Sequence, residues 1–178
     1  MGMFDNIESS TSYEAEGFTV IPDGTKAVVA ITGVKVMPAN GREQQEFLLF
    51  DVMVAEDGPY KDISVGHKLR INHPDDKKAK TAKELLNAYD SNCGGILRGA
   101  DQSGKEWWKD GAFMTRALAG KKVKVNFRVW EMENEQGQKM KGNWIDGVYP
   151  VNAVFSKTEK SDPNATLGNE KPDEDVGF

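Results

Sequence analysis

The twelve residues from Lys121 to Met132 (KKVKVNFRVWEM) hold the cleanest alternation in the chain. Val123, Val125, Phe127 and Val129 fall on one side, and Lys122, Lys124, Asn126, Arg128 and Trp130 on the other. A period of two belongs to a β-strand, whose successive side chains point to opposite faces, and it cannot be kept by a helix. The segment must set an aliphatic face into a core and turn a basic face with a terminal aromatic away from it. A lone strand buries nothing, so the rest of the chain has to supply a sheet.

It does. Residues 25–36 (TKAVVAITGVKV) and 44–55 (QQEFLLFDVMVA) are rich in Val, Ile and Phe and flank Met37-Pro38-Ala39-Asn40-Gly41, whose Asn-Gly tolerates positive φ; together they predict a long hairpin. A third strand is expected at His67–Asn72, where Leu69 and Ile71 alternate with Lys68 and Arg70. Asn72 or Asp75 can cap a helix from about 75 to 90, with Ala79, Ala82, Leu86 and Tyr89 as its apolar stripe. Residues 91–109 read as a Gly-rich polar loop ending in Trp107-Trp108, followed by a short helix near 111–118 that closes at Gly120. The alternating strand then turns at 133–138 into a fifth strand over 139–149, and Val151 to Phe155 finish the body. From Ser156 onward only Ala165, Leu167, Val176 and Phe178 are apolar, too few to offset the entropy of ordering 23 residues, so a disordered tail is expected over 156–178.

Strand, strand, strand, helix, strand, strand is the order of the OB-fold, a five-stranded Greek-key barrel that binds oligonucleotides on the face of strands 2 and 3 and through the loops joining strands 1–2 and 4–5. The expectation is therefore a mainly β chain: an OB-fold domain over 1–155, with a helix between strands 3 and 4, and an acidic tail over 156–178. A five-stranded sandwich is the alternative architecture. No apolar stretch approaches the roughly 20 residues of a membrane span. Met1 to Asn6 shows neither the basic end nor the apolar run of a secretory signal, and Cys93 stands alone, so no intrachain disulfide and no Cys-rich zinc site is expected. These features together suit a cytoplasmic protein.

Charge looks unfavourable to a nucleic-acid ligand, since the formal net charge is −5. Its distribution reverses that impression: residues 1–60 sum to −7, residues 61–130 to +7, residues 131–155 to −2 and residues 156–178 to −3. The basic middle holds Lys68 and Arg70 on the third strand and Lys122, Lys124 and Arg128 on the fourth. One sheet carrying both rows could track a sugar-phosphate backbone, although solvent-facing lysines also blunt sheet edges. Trp107, Trp108, Trp130 and Trp144 lie among these cations, and bases of single strands stack on such rings for about 1–3 kcal/mol each. Two adjacent Trp in a strand would point to opposite faces, leaving at most one of the Trp107-Trp108 pair buried.

Enzymatic motifs do not emerge. Gly99 to Glu106 follows the phosphate-loop spacing until Glu106 replaces the Ser or Thr that would hold Mg²⁺. His67, His73, Asp75 and Asp76 are better explained by helix capping and the helix dipole than by a metal. Neither a cofactor nor a catalytic residue is expected.

The chain ends in Pro172-Asp173-Glu174-Asp175-Val176-Gly177-Phe178, three carboxylates and a terminal aromatic. This tip resembles that of bacterial and phage single-stranded DNA-binding proteins. Residues 20–154 are similar to phage-encoded members at Val20-Ile21-Pro22-Asp23-Gly24, Glu46 to Met53, Ala82 to Leu86, Gly120 to Val125 and Trp144 to Val151. It differs in Val176-Gly177, where the bacterial form commonly has Ile-Pro, and in the long connection over 91–119. The resemblance implies a non-enzymatic phage protein of the bacterial host cytoplasm. It would coat single-stranded DNA in replication, recombination and repair, and recruit partner proteins through Asp173, Glu174, Asp175 and Phe178. Lys68, Arg70, Lys122, Lys124 and Arg128 would meet phosphates, and the four tryptophans would stack bases. Homo-oligomerisation stays open. The rival class is a protein-interaction or virion-associated β-domain whose basic strip docks an acidic protein.

Overall fold

A computed structural model describes residues 19–41 and 43–155. The acidic tip and the rest of the expected tail lie outside the described residues. Five strands form, β1 (Lys26–Met37), β2 (Phe47–Val54), β3 (Ser64–Leu69), β4 (Lys122–Glu133) and β5 (Lys139–Tyr149). Helices α1 (Asp76–Asn92), α2 (Ile96–Gln102) and α3 (Gly111–Leu118) and a 3₁₀ turn at Trp107–Lys109 stand between β3 and β4. The strands join one antiparallel sheet in the order β3-β2-β1-β4-β5.

Both expected hairpins pair, although neither Asn40 nor Gly41 takes up the positive φ expected of the first turn, and the long-range ladder between β1 and β4 unites them, from Lys26 opposite Asn126 to Ala30 opposite Lys122. A flat sheet of five strands would hold its edges about 19 Å apart. Yet Cα atoms of β3 and β5, the two edges, come within 8 Å of each other without sharing a ladder. The sheet is therefore curled and open at this seam. Helix α1 touches β3, β4 and β5, so it lies across the opening. Its buried residues include the Ala79, Ala82, Leu86 and Tyr89 stripe that helical spacing predicts, and Asp75 caps its start by accepting from the amides of Lys77 and Lys78. The core face of the sheet is lined by Val29, Ile31, Phe50, Val52, Val125 and Phe127, each fully buried.

Three expectations are corrected. The connection predicted as a loop over 91–109 contains α2, whose first amides are held by a carboxylate from the preceding helix: buried Asp90 accepts from Leu97 and Arg98, both at 2.9 Å. Strand β3 runs from Ser64 to Leu69 rather than from His67 to Asn72, because pairing with β2 sets Val65, His67 and Leu69 opposite Val52, Phe50 and Leu48. Trp107 and Trp108, expected at the end of that loop, sit in the 3₁₀ turn, and both are half-buried against the core.

The length of the 91–119 connection has a structural reason. Strand β1 has twelve residues, but β4 covers only the first five of them. Beyond, the amide of Ile31 donates to the Lys121 carbonyl and Ile31 accepts from Gly120. Then α3 takes over: the Thr115 hydroxyl accepts from the Val34 amide and donates to the Val34 carbonyl, each at 3.0 Å. A Cβ at Gly111 would stand 3.2 Å from the Val34 carbonyl oxygen, a tight contact that the missing side chain of the helix's first residue avoids. The long insertion thus seals a strand edge that would otherwise present unpaired backbone groups.

Candidate nucleic-acid interface

Register decides which side chains share the face opposite the core. On β3, Lys68 stands opposite Leu49, which in turn stands opposite Lys35 of β1. On β4, Lys122 faces Ala30, Lys124 lies between Val28 and Tyr149, and Arg128 faces Trp144. Lys26 pairs with Asn126 on the same side. Because Val29, Ile31, Val52, Phe50, Val123 and Val125 point inward, these cations all point outward. The rows of β3 and β4 lie on one sheet face, separated by β2 and β1.

Lys35 is turned outward by an irregularity. Strict alternation from Ile31 would bury residues 33 and 35, but the ladder shifts between Ile31 and Gly33, leaving Thr32 as an extra residue that reverses the phase. Val34 is then buried and Lys35 exposed. A second shift, between Asn126 and Phe127, leaves Asp146 of β5 as the extra residue and sets its carboxylate beside the basic row.

Most cations of this face are held by partners. Arg70, just past β3, grips Glu43 of the β1–β2 loop with both ends of its guanidinium edge: Nε lies 3.1 and 2.9 Å from the two carboxylate oxygens and Nη2 lies 2.7 Å from Oε1. Lys68 Nζ stands 3.7 Å from the same oxygen and 5.4 Å from the centre of the Phe47 ring. Burial acts to raise the Glu43 pKa, but Arg70 and Lys68 outweigh it and hold the carboxyl below its ordinary value. Arg128 lies between Asp23, at 3.3 Å, and Asp146, at 3.7 Å. Lys124 donates to the Ala153 carbonyl at 2.8 Å, because residues 150–155 fold back over this part of the sheet. Lys35 pairs with Asp51 at 2.9 Å. Lys122 is exposed.

The four tryptophans do not converge on one spot. Trp144 is half-buried opposite Arg128, with its indole Nε1 covered and lacking a hydrogen-bond acceptor among the described residues. Trp130, on the same face, is only 6% exposed and lies over Gly142, its cross-strand neighbour; a Cβ there would stand 2.6 Å from the ring. In this conformation Trp130 offers little ring face to a base. Trp107 donates to Asp101 at 3.1 Å, while the Lys109 ammonium lies 4.7 Å from the Trp108 ring centre, and both rings belong to the helical connection rather than to the sheet face.

Sequence reasoning missed a second aromatic group. Tyr149 and Phe155 meet edge to face at 4.8 Å, and the Lys26 ammonium lies 4.4 Å from the Phe155 ring centre. Tyr149 reaches the outward face beside Lys124 only because the extra residue Asp146 reverses the alternation of β5, and Phe155 arrives only through the fold-back of 150–155. Among the described residues no group of three or more His, Cys, Asp or Glu could hold a metal ion. His67 is buried against Tyr89, and His73 accepts from the Asp75 amide at 3.0 Å. Among the described residues no helix is long and apolar enough to cross a membrane. No protein-family model matches the chain, and comparison with curated proteins returns no match.

Proposed function

We propose that the chain is a non-enzymatic single-stranded DNA-binding protein and that the outward face of its sheet is the binding surface. The observation that carries this reading is the register: Lys68, Lys35, Lys122, Lys124, Lys26 and Arg128, drawn from three strands, share one face with Trp144 and Tyr149. Cations with interspersed rings suit a flexible polyanion whose bases are unpaired, and need no particular sequence. The sheet order, the helix lying across the β3–β5 opening and the approach of these two edges support an OB-type barrel left open at that seam. On this reading the protein protects single strands in phage replication and recombination, and Asp173, Glu174, Asp175 and Phe178 of the tip capture partner proteins.

The pairing of these cations favours one other reading. A face whose charges are matched by Glu43, Asp23, Asp146 and Asp51 could instead be the surface of a protein-interaction domain. Titration of tryptophan fluorescence with a dT oligonucleotide separates the two. A DNA-binding face gives quenching, preference over duplex, and log affinity falling with log salt at about 0.7 per phosphate contacted. Absence of quenching, or an affinity indifferent to salt, rejects the proposal.

A further inference from the structure

Arg70 and Lys68 carry the densest hydrogen-bonded charge on the outward face, and what they hold is a carboxylate from a loop. We infer that Arg70 and Lys68 form an anion site for a phosphodiester of single-stranded nucleic acid, which the Glu43 carboxylate fills in the free protein and vacates on binding. The inference rests on the reading of this face as a DNA-binding surface and adds how that surface is regulated.

Three observations support it. The first is geometry: a guanidinium meeting two oxygens of one acid through Nε and Nη2, with an ammonium approaching the same group, is the arrangement in which arginine takes a phosphate. The second is the origin of the carboxylate. Glu43 sits in the connection between β1 and β2, whose backbone closes on itself: Asn40 donates to the Glu43 carbonyl at 2.8 Å, and the Glu43 amide donates to the Asn40 side chain at 2.9 Å. Such a loop can carry its acid away without breaking a sheet ladder. The third is position. Lys68 lies in register with Leu49 and Lys35, so an anion at Arg70 would stand at the β3 end of a row that carries Lys68 on β3 and Lys35 on β1.

The experiment compares the wild-type chain with Glu43→Gln and Asn40→Ala, the latter keeping the carboxylate but loosening its loop if the first variant folds poorly. Affinity for a dT oligonucleotide is measured across a salt series, and the Arg70 Nε–H resonance is followed by NMR during addition of inorganic pyrophosphate. Glu43→Gln should bind the oligonucleotide about tenfold more tightly at low salt, and two newly available contacts should steepen the log–log salt slope by about 1.4. Asn40→Ala should gain about threefold in affinity, in the same direction. Pyrophosphate should move the Arg70 resonance in Glu43→Gln at concentrations that leave the wild type unchanged. If that resonance stays still in both variants, Glu43 is a structural brace and the inference falls, whatever the oligonucleotide does. If it moves but neither protein binds dT, the anion site stands and the DNA-binding reading of the face falls.

Discussion

His67 should make the fold sensitive to mild acid. It points into the core from β3, opposite Phe50, with 4% of its surface exposed. Its Nδ1 shares a hydrogen bond of 3.0 Å with the Tyr89 hydroxyl, and the Tyr89 ring stacks on Phe50 at 4.6 Å. Burial pulls the imidazole pKa down from 6.5 to about 4. The unfolded chain therefore takes up a proton near pH 6.5 that the folded chain refuses until about pH 4. The stability held by the neutral ring is complete above the first value and drains away as pH falls toward the second. Each pH unit inside that window is worth about 1.36 kcal/mol, so the fold should lose about 2 kcal/mol between about pH 7.5 and pH 5. Glu43, whose pKa is lowered, loses its contribution only as pH falls below 4.5, so it leaves this window largely clear. Urea unfolding at the two pH values, on the wild type and on His67→Gln, measures the difference. The wild-type midpoint should drop at constant m-value, and that of the variant should move by less than half as much. Equal losses in both proteins would refute the assignment to His67.

Other consequences follow from particular contacts. Gly142→Ala places a methyl against the Trp130 ring and should destabilise by about 1–3 kcal/mol, seen as a lowered Tm in calorimetry together with a shifted tryptophan emission; an unchanged Tm would mean the ring moves aside freely. Thr115→Val leaves both polar groups of Val34 without their hydroxyl partner and should cost about 1–3 kcal/mol in urea unfolding, whereas Thr115→Ser should retain most of the stability. If the proposed function holds, removing residues 172–178 should abolish capture of partner proteins in pull-down and tighten binding to a dT oligonucleotide; if neither changes, the tip serves only solubility.

The legible parts of this fold are those whose information is local. The alternation through Val123, Val125 and Phe127 defined β4 and its basic side, Asn40-Gly41 marked a hairpin, and the stripe from Ala79 to Tyr89 gave the buried face of α1. What escaped depends on residues far apart in the chain. Helix α2 is short, contains Gly99, follows two glycines at positive φ, and is capped by Asp90 of another helix, so no cap stands where a sequence pattern would look for one. Lys35 was hidden because one extra residue, Thr32, inverts the alternation. The basic residues were found, but their partners were not: Glu43 lies 27 residues from Arg70, and Asp23 meets a side chain of β4. Val129 shows where alternation stops predicting burial. It lies beyond the end of the β1–β4 ladder and is only half-buried, its amide donating to the Asp23 carboxylate.

The joint between α3 and β1 gives the protein a built-in probe of its own partial opening. In most of the sheet an amide is shielded by a neighbouring strand and exchanges with solvent only when that strand leaves. The Val34 amide is shielded instead by one hydroxyl on a helix of eight residues. Its deuterium exchange should therefore report the departure of α3 as a separate, cheaper event than global unfolding, while the Val29 amide two turns of pleat away keeps the slow clock of the whole sheet.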